Sequence, residues 1–185
     1  MRCVPLAIPD VLVIEPTVHR DDRGFFLEAY HEERYRAAGI PGPFVQDNQS
    51  RSGRGTLRGL HGQRRRPQGK LVRALAGEIW DVAVDVRPGS ATFGRWVGVT
   101  LTAESFRQCW VPPGFLHGFC VLSDVAEVEY KCTAPYDASD EIGVVWDDPD
   151  LGIAWPVTEP RLSARDRALP RFAAFARRLR AGGDG

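Results

Sequence analysis

The feature that most constrains the fold is a succession of short apolar runs, each ended within a few residues by Gly, Pro, Asp or Asn. These turn residues interrupt both helices and central strands. The runs recur at intervals of about 8–12 residues, a pattern that is typical of an all-β sandwich or barrel. The strand candidates are 11–14, 25–30, 44–50, 56–63, 70–76, 78–86, 93–101, 108–111, 117–122, 126–134 and 142–146.

Helix signals are confined to two segments. Residues 31–38, HEERYRAA, and the basic stretch 163–180 have the composition and the end signals of helices. No internal repeat or long linker is visible, and 185 residues suit one domain with a sizeable core. We therefore expect a single all-β domain over residues 1–185 with a few short peripheral helices, in which 163–180 is helical and 181–185 is frayed.

The charge balance limits the classes of partner. The chain carries 24 lysines and arginines and 24 aspartates and glutamates, so its formal net charge is zero. This balance argues against binding to nucleic acid or to an anionic membrane surface. No run approaches the roughly 18 apolar residues of a membrane helix. The four cysteines show no CxxC spacing, and we interpret them as reduced residues of a cytoplasmic protein.

In two strand candidates the direction of each side chain can be predicted, because alternate residues of a strand point to opposite sides of the sheet. In 126–133 one face carries Ala126, Val128, Tyr130 and Cys132. That apolar face is predicted to be the interior, so Tyr130 points inward. In 80–86, Asp81 and Asp85 lie opposite an apolar set of Trp80 and three valines.

The stretch 57–63 alternates less cleanly. Strict alternation places Arg58 and His61 on opposite faces of the strand. A bulge or twist is needed for both side chains to reach one pocket, and Gly59 can supply it.

The segment 111–119, VPPGFLHGF, predicts a tight turn that leads into a strand with His117 at its start. A histidine near the open end of a small barrel can reach a ligand cavity, and it can equally be a structural residue.

A metal site needs three or more ligands, whereas His61 is followed by Gly-Gln and has no carboxylate close behind it in its strand. We expect no metal. The glycine-rich stretch 52–62 lacks the G-x-G-x-x-G spacing, so we expect no nicotinamide cofactor.

The run VQDNQSRS, residues 45–52, is polar where a strand is expected. Polar side chains at inward strand positions cost free energy unless they bind something, so this segment is either part of a binding site or an exposed edge strand. Upstream, HRDDRGFFLEAY (19–30) places Arg23 and Glu28 around two aromatic residues.

Lysine is rare in this chain: apart from Lys70 and Lys131, every cationic side chain is arginine. An ammonium is a compact point charge that can neutralise an oxyanion developing on one atom. Neutral histidine is the natural base near neutral pH, and an inward tyrosine can return a proton. His61, Lys70 and Tyr130 are therefore suited to proton abstraction next to a carbonyl, with Asp166 orienting the imidazole. The alternative is that Lys70 is a surface residue without a role.

These pieces together resemble the dTDP-4-dehydrorhamnose 3,5-epimerase family, over roughly residues 10–170 and in the family's order. The matching stretches are DDRGFFLE (21–28), FVQDNQSRS (44–52), LRGLH-Q (57–63), KLVRALAGEIWDVAVDVR (70–87), WVPPGFLHGF (110–119), AEVEYK (126–131), VVWDDPDLGIAWP (144–156) and LSARD (162–166).

The resemblance implies a cupin-type jelly-roll β-barrel that forms a homodimer and acts without metal or nicotinamide on a dTDP-linked 4-keto-6-deoxyhexose. It implies that His61 is the general base, Asp166 its partner and Tyr130 the general acid, and that Lys70 lies beside the C4 oxygen. The implied substrate-binding residues are Arg23, Glu28, Gln46, Asp47, Asn48, Arg58, His117, Glu141 and Arg165. If Arg23 and Arg58 converge, they can bind the diphosphate despite the neutral net charge.

One position departs from the family pattern, since Gly62 stands where an aromatic residue is common. By alternation Gly62 faces away from His61, so the change concerns packing or the shape of the pocket. Relatives that invert only C3 or only C5 share these motifs, and both single and double epimerisation stay open. The motifs are also compatible with a ketoisomerase of the same substrate, with a cupin that only binds sugar nucleotide, and with a metal-dependent cupin.

Overall fold

Two antiparallel sheets form the framework of the fold, and the computed structural model describes residues 1–181. The strands of this part are β1 (Arg2–Pro5), β2 (Leu12–Glu15), β3 (Val18–Asp21), β4 (Gly24–Leu27), β5 (Gln46–Gly53), β6 (Leu57–Gln63), β7 (Lys70–Ala76), β8 (Glu78–Asp85), β9 (Trp96–Thr102), β10 (Gln108–Val111), β11 (Phe115–Val121), β12 (Val125–Cys132) and β13 (Glu141–Gly143). The helices are α1 (Glu32–Ala37), α2 (Ala164–Arg167) and α3 (Phe172–Ala181).

The strands form a cupin-type jelly roll. One sheet has six strands in the order β1-β2-β10-β7-β12-β5, and the other has five in the order β13-β6-β11-β8-β9. Strands β3 and β4 form a separate hairpin. The all-β prediction with a few short helices is confirmed. Within residues 1–181, every helix is too short or too polar to span a bilayer.

The main core lies between the two sheets. Alternate residues of β12 and β8 point into it, among them Val128, Ala126 and Ile79, together with Phe115 and Phe119 of β11. Each fully buried Val, Ile or Phe side chain contributes about 1.5–3 kcal/mol to folding. Tyr130 packs against this cluster, so its predicted inward orientation is correct.

The five-stranded sheet is buried on its outer face as well. Val82 and Val84 of β8 and Leu116 of β11 pack there against Phe175 of α3. The apolar set predicted in 80–86 thus faces this outer layer. Asp81, on the opposite side of the strand, consequently points toward the interior of the barrel.

The helical prediction for 163–180 is wrong in one respect, because two helices stand where one was expected. Pro170 separates α2 from α3. A proline disfavours helical geometry in the preceding residue and has no N–H to donate to a helix. Ser163 caps α2, its Oγ accepting a hydrogen bond from the Asp166 N–H at 3.0 Å. Of the end predicted to be frayed, Ala181 closes α3, and the remaining four positions lie outside the described residues.

A buried carboxylate fastens the end of β8 to the turn that follows. Asp85 accepts hydrogen bonds from Arg87 Nη2 at 2.7 Å, Ser90 Oγ at 2.6 Å and Thr92 Oγ1 at 2.5 Å. Burial raises the pKa of Asp85, but these donors outweigh burial and bring it down to about 2. The ionised form of Asp85 therefore stabilises the folded state.

The Asp85→Asn substitution should lower the free energy of unfolding by about 2–4 kcal/mol at pH 7, because three donors lose an ionised acceptor. The folded pKa lies below the unfolded one. The contribution is therefore complete above pH values of about 4 and is lost as the pH falls toward the folded pKa. Urea unfolding of both proteins between pH 7 and pH 2 measures this, and the difference between them should shrink below about pH 4.

The matched control is Asp147→Asn, which removes an exposed ion pair with Arg171 at 3.0 Å. Its effect should stay below about 1 kcal/mol at every pH. A difference between wild type and Asp85→Asn that is the same at pH 7 and pH 2 would contradict the assignment.

Candidate active site

Two adjoining cavities lie among residues from both sheets. The larger has a volume of about 320 Å³ and the smaller about 240 Å³. The residues that line both are His61, Lys70, Tyr130 and Arg165. We call the two cavities together the cleft. The side chains singled out from the sequence for proton transfer are therefore neighbours in space.

A glycine bulge in β6 brings Arg58 and His61 to the same cleft. The pairing of β6 with β11 shifts register between His61 and Arg58, and Gly59 has a φ of 119°. A Cβ on Gly59 would come within 2.6 Å of the Gly118 Cα, so glycine is required at this position. The bulge expected at Gly59 is confirmed.

His61 is held by a buried carboxylate. Its Nε2 lies 2.6 Å from Oδ1 of Asp166 on α2, whose side chain is only 6% exposed. Burial raises the pKa of Asp166, but the hydrogen bond and charge of His61 and the hydrogen bonds of Ser163 lower it by more, so the carboxylate stays ionised. An imidazole that donates from Nε2 to this carboxylate keeps Nδ1 as its basic nitrogen.

Lys70 supplies an unpaired buried cation. The residue is 8% exposed, and among residues 1–181 its Nζ makes no hydrogen bond and no ion pair. Burial lowers the pKa of Lys70, while electrostatic interactions with Cys132, Glu141 and Asp81 act in the opposite direction. An ammonium without a protein partner is available to a negative group of a ligand.

Tyr130 lies beside Lys70, with 6.0 Å between Lys70 Nζ and the centre of the Tyr130 ring. Burial raises the pKa of Tyr130 above its usual value, and the charge of Arg58 opposes this only in part. Tyr130 therefore keeps its proton at neutral pH and can donate it.

Six of the predicted substrate-binding residues line the cleft. Gln46 and Asn48 of β5, Glu141 of β13 and Arg165 of α2 line the larger cavity, and Arg58, His117 and again Arg165 line the smaller one. Strand β5 is an edge strand, so the edge-strand interpretation of residues 45–52 is confirmed, and two of its polar residues, Gln46 and Asn48, also line the cleft.

Three of the predicted residues do not reach the cleft of their own chain. Arg23 is ion-paired with Asp21 at 2.6 Å and lines a separate surface pocket beside β3 and β4. Glu28 pairs with Arg34, and Asp47 points away from Gln46 and Asn48 to pair with Lys131. Arg23 and Arg58 therefore do not converge within one chain, because Arg23 lies on the separate β3–β4 hairpin and Arg58 lines the cleft.

Tyr136 is a cleft residue that the sequence did not indicate. Its Oη donates to Glu141 Oε2 at 2.7 Å and accepts from Arg165 Nη1 at 3.2 Å. Tyr136 lies in the loop between β12 and β13, where no periodic pattern marks the direction of a side chain. Only its aromatic character among polar residues could have drawn attention to it.

Buried glutamines hold this loop in place. Gln63 accepts from the Asp137 N–H at 2.8 Å and donates to the Pro135 carbonyl at 3.2 Å. Gln68 donates to the Ala134 carbonyl at 2.7 Å. Gln63 belongs to the LRGLH-Q stretch, and its position after the histidine was the available signal.

The absence of a side chain at Gly62 creates no free space next to His61, the proposed base. A Cβ at this position would meet Leu116 Cδ2 at 3.0 Å and the Phe115 carbonyl at 3.1 Å, on the outer side of the sheet. The predicted orientation away from His61 is correct. Within residues 1–181, no three His, Cys, Asp or Glu side chains cluster in a way that could hold a metal ion.

Comparison with known proteins identifies the family. The family model for dTDP-4-dehydrorhamnose 3,5-epimerase matches residues 5–174. A dTDP-4-dehydrorhamnose 3,5-epimerase of Pseudomonas aeruginosa is 55% identical over 175 residues, covering 94% of this chain and 97% of that protein.

Solved structures of epimerases are also similar to this chain over nearly its whole length. A dTDP-6-deoxy-D-glucose-3,5-epimerase from Legionella pneumophila, in complex with dTDP-4-keto-L-rhamnose, has a TM-score of 0.92 at 48% identity and covers 96% of each chain. A 3'-monoepimerase from Streptomyces bikiniensis, in complex with dTDP-quinovose, has a TM-score of 0.87 at 42% identity, covering 95% of this chain and 89% of the other. The fold, the matched residues and these identities show that the chain belongs to the dTDP-4-dehydrorhamnose 3,5-epimerase family.

Proposed function

We propose that this protein inverts C3 and C5 of dTDP-4-keto-6-deoxy-D-glucose and gives dTDP-4-keto-L-rhamnose. The observation that carries the proposal is the 2.6 Å contact between His61 and Asp166 in a cleft that Lys70 and Tyr130 also line. Similarity to 3,5-epimerases over nearly the whole chain supports the double inversion. The similar 3'-monoepimerase makes inversion of C3 alone the second candidate.

The chemistry follows from the acidity of hydrogens next to a ketone. The C4 carbonyl acidifies the hydrogens on C3 and C5, and His61 removes one of them as general base. The electrons move to the C4 oxygen and give an enolate, which the ammonium of Lys70 stabilises. Asp166 holds the imidazole and stabilises its charged form after proton transfer. Tyr130 returns a proton to the opposite side of the carbon, and repetition at the second carbon completes the reaction.

The sugar nucleotide would be bound by the remaining polar residues of the cleft. Arg58 and His117 would bind the diphosphate, since a guanidinium forms strong charge-assisted hydrogen bonds with phosphate oxygens. Gln46, Asn48 and the Glu141–Arg165 pair would bind the sugar and the nucleoside. These groups need neither a metal nor a nicotinamide cofactor for proton transfer, so we propose that none is used.

The proposed function is tested by proton NMR of dTDP-4-keto-6-deoxyglucose in D₂O with the enzyme. We expect deuterium at both C3 and C5, because each inverted carbon loses its original proton to a base that exchanges with solvent. The His61→Asn variant should slow exchange by about 10²–10⁴-fold, the usual contribution of a general base. His31→Asn, which changes the N-cap histidine of α1 outside both cavities of the cleft, is the matched control and should exchange at the wild-type rate.

Exchange at C3 alone would select the mono-epimerase. Relocation of the carbonyl to C3 in the product would select a ketoisomerase. No exchange at either carbon would reject the proposed function.

Lys70→Arg should reduce kcat by about 10²-fold or more, a loss comparable to removal of one group that stabilises an oxyanion. The reason is that the guanidinium is larger and planar, and it cannot occupy the buried space of a compact ammonium. The chain offers a matched control in its other lysine: Lys131 is paired with Asp47 at 2.8 Å, and Lys131→Arg should leave turnover unchanged. Product formation followed by chromatography measures both variants, and near-wild-type turnover by Lys70→Arg would remove Lys70 from the mechanism.

We propose further that the protein is a homodimer in which the β3–β4 hairpin is at the interface. Phe25 and Phe26 on this hairpin are 59% and 71% exposed, which is unusual for adjacent large apolar side chains in a monomer. Arg23 beside them does not reach the cleft of its own chain. A dimer that buries the two phenylalanines would carry Arg23 to the partner, where it could complete a substrate site.

Light scattering should give the mass of a dimer for the wild type and of a monomer for the Phe25→Ser, Phe26→Ser double variant, because the interface loses its apolar contacts. Val125→Ser changes an exposed apolar residue on β12 and should leave the dimer intact. A monomeric wild type would contradict the proposal.

The chain as a whole is proposed to be one jelly-roll domain in the cytoplasm. All four cysteines are free thiols. Free, mostly buried thiols suit a reducing compartment. The two sheets enclose a common core, which supports a single folding unit.

A further inference from the structure

A second His–Asp pair lies beneath the cleft, and the proposed chemistry does not use its carboxylate. Asp81 on β8 is 1% exposed and points toward the barrel interior. Its Oδ1 is 2.7 Å from Nε2 of His117 on β11. His117 is paired directly across the sheet with His61, so the two His–Asp pairs are adjacent.

The carboxylate of Asp81 makes its close ionic contact with His117, while Lys70 interacts with it only through charge and without a hydrogen bond. Among residues 1–181, Oδ2 of Asp81 is buried without a hydrogen-bond partner. A buried carboxylate with one hydrogen bond is costly unless a positive charge balances it. The nearby Cys109 is a neutral neighbour and cannot supply that charge: burial first, then the charge of Asp81 and a hydrogen bond to it, raise the pKa of this thiol well above its usual value.

His117 connects this carboxylate to the ligand space. It lines the smaller cavity together with Arg58, and its ring centre is 6.3 Å from that of Tyr130. Because Nε2 is taken by Asp81, Nδ1 is the nitrogen that remains for a ligand. An imidazolium held against a carboxylate donates from both nitrogens, and an N–H donor is what a phosphate oxygen accepts.

We propose that Asp81 is a positioning residue that acts as the counter-ion of His117, and thereby makes the Nδ1 group of His117 a donor to the diphosphate of the substrate. The inference rests on the proposed function, because it assumes a nucleoside diphosphate in the cleft. It extends that function by assigning the diphosphate affinity in part to a residue that no ligand can touch.

The Asp81→Asn variant keeps the size of the side chain and removes its charge. It should weaken the binding of dTDP, measured by calorimetry, by about tenfold or more, the usual value of a hydrogen bond to a charged group. The affinity for thymidine, measured by competition, should change less than about twofold, because thymidine has no phosphate for His117 to bind. Asp81→Ser, which also removes the carboxylate, should give the same result if Asp81→Asn is poorly folded.

A double-mutant cycle separates a role through His117 from a general structural role. In His117→Gln the amide can still donate to Asp81, while the ligand-binding nitrogen is gone. Adding Asp81→Asn to this variant should cause no further loss of dTDP affinity, because residues that act as a unit are not additive. Asp85→Asn, a buried aspartate on the same strand outside the cleft, is the control and should keep wild-type affinity for dTDP.

Wild-type dTDP affinity in Asp81→Asn, an equal loss for thymidine, or a full additional loss in the His117→Gln background would each overturn the inference. Wild-type protein that binds dTDP but exchanges no substrate proton would reject the proposed function and leave the inference standing. Wild-type protein that does not bind dTDP would reject both.

Discussion

The close contact of β6 and β11 is the constraint on which the cleft depends. Gly59 and Gly118 meet backbone to backbone: a Cβ on Gly59 would lie 2.6 Å from the Gly118 Cα, and a Cβ on Gly118 would lie 2.8 Å from the Arg58 carbonyl. The register shift at this contact turns Arg58 and His61 toward one side and leaves His61 opposite His117. Side chains in place of Gly59 and Gly118 would push β6 and β11 apart, and Arg58, His61 and His117 would then not share a cavity.

Among the described residues, the charges around the cleft leave two cations, Arg58 and Lys70, without a carboxylate partner. Asp166 is held by His61 and Ser163, and Glu141 is held by Arg165 and Tyr136. Within residues 1–181, Lys70 has no such partner. Burial weakens the hydration of its ammonium, so a negative oxygen that forms beside it interacts more strongly than it would in water. The protein thus places a buried, unpaired ammonium where the proposed enolate oxygen develops.

Much of the fold could be predicted from the sequence because strand alternation and turn residues are local signals. The inward position of Tyr130 follows from the apolar face of β12, and the bulge follows from a glycine between Arg58 and His61. The direction of Asp81 could not be predicted in this way, since both faces of β8 are buried and an apolar face there does not identify the interior. Tyr136 escaped prediction because its loop has no period, and its position depends on Gln63 and Gln68 from distant strands.

The sequence by itself determined the class of fold, the helix after β4 and the family, and it indicated the residues that are proposed to transfer protons. Each of these depends on residue type and on spacing along one segment, which short-range sterics and hydrophobicity translate directly into structure. The tertiary structure alone decided which residues meet. It pairs His117 with Asp81, brings Tyr136 to Glu141 and Arg165, and keeps Arg23 out of the cleft of its own chain. Such contacts depend on how strands order and register within sheets, and that is set by the packing of the whole barrel rather than by any one segment.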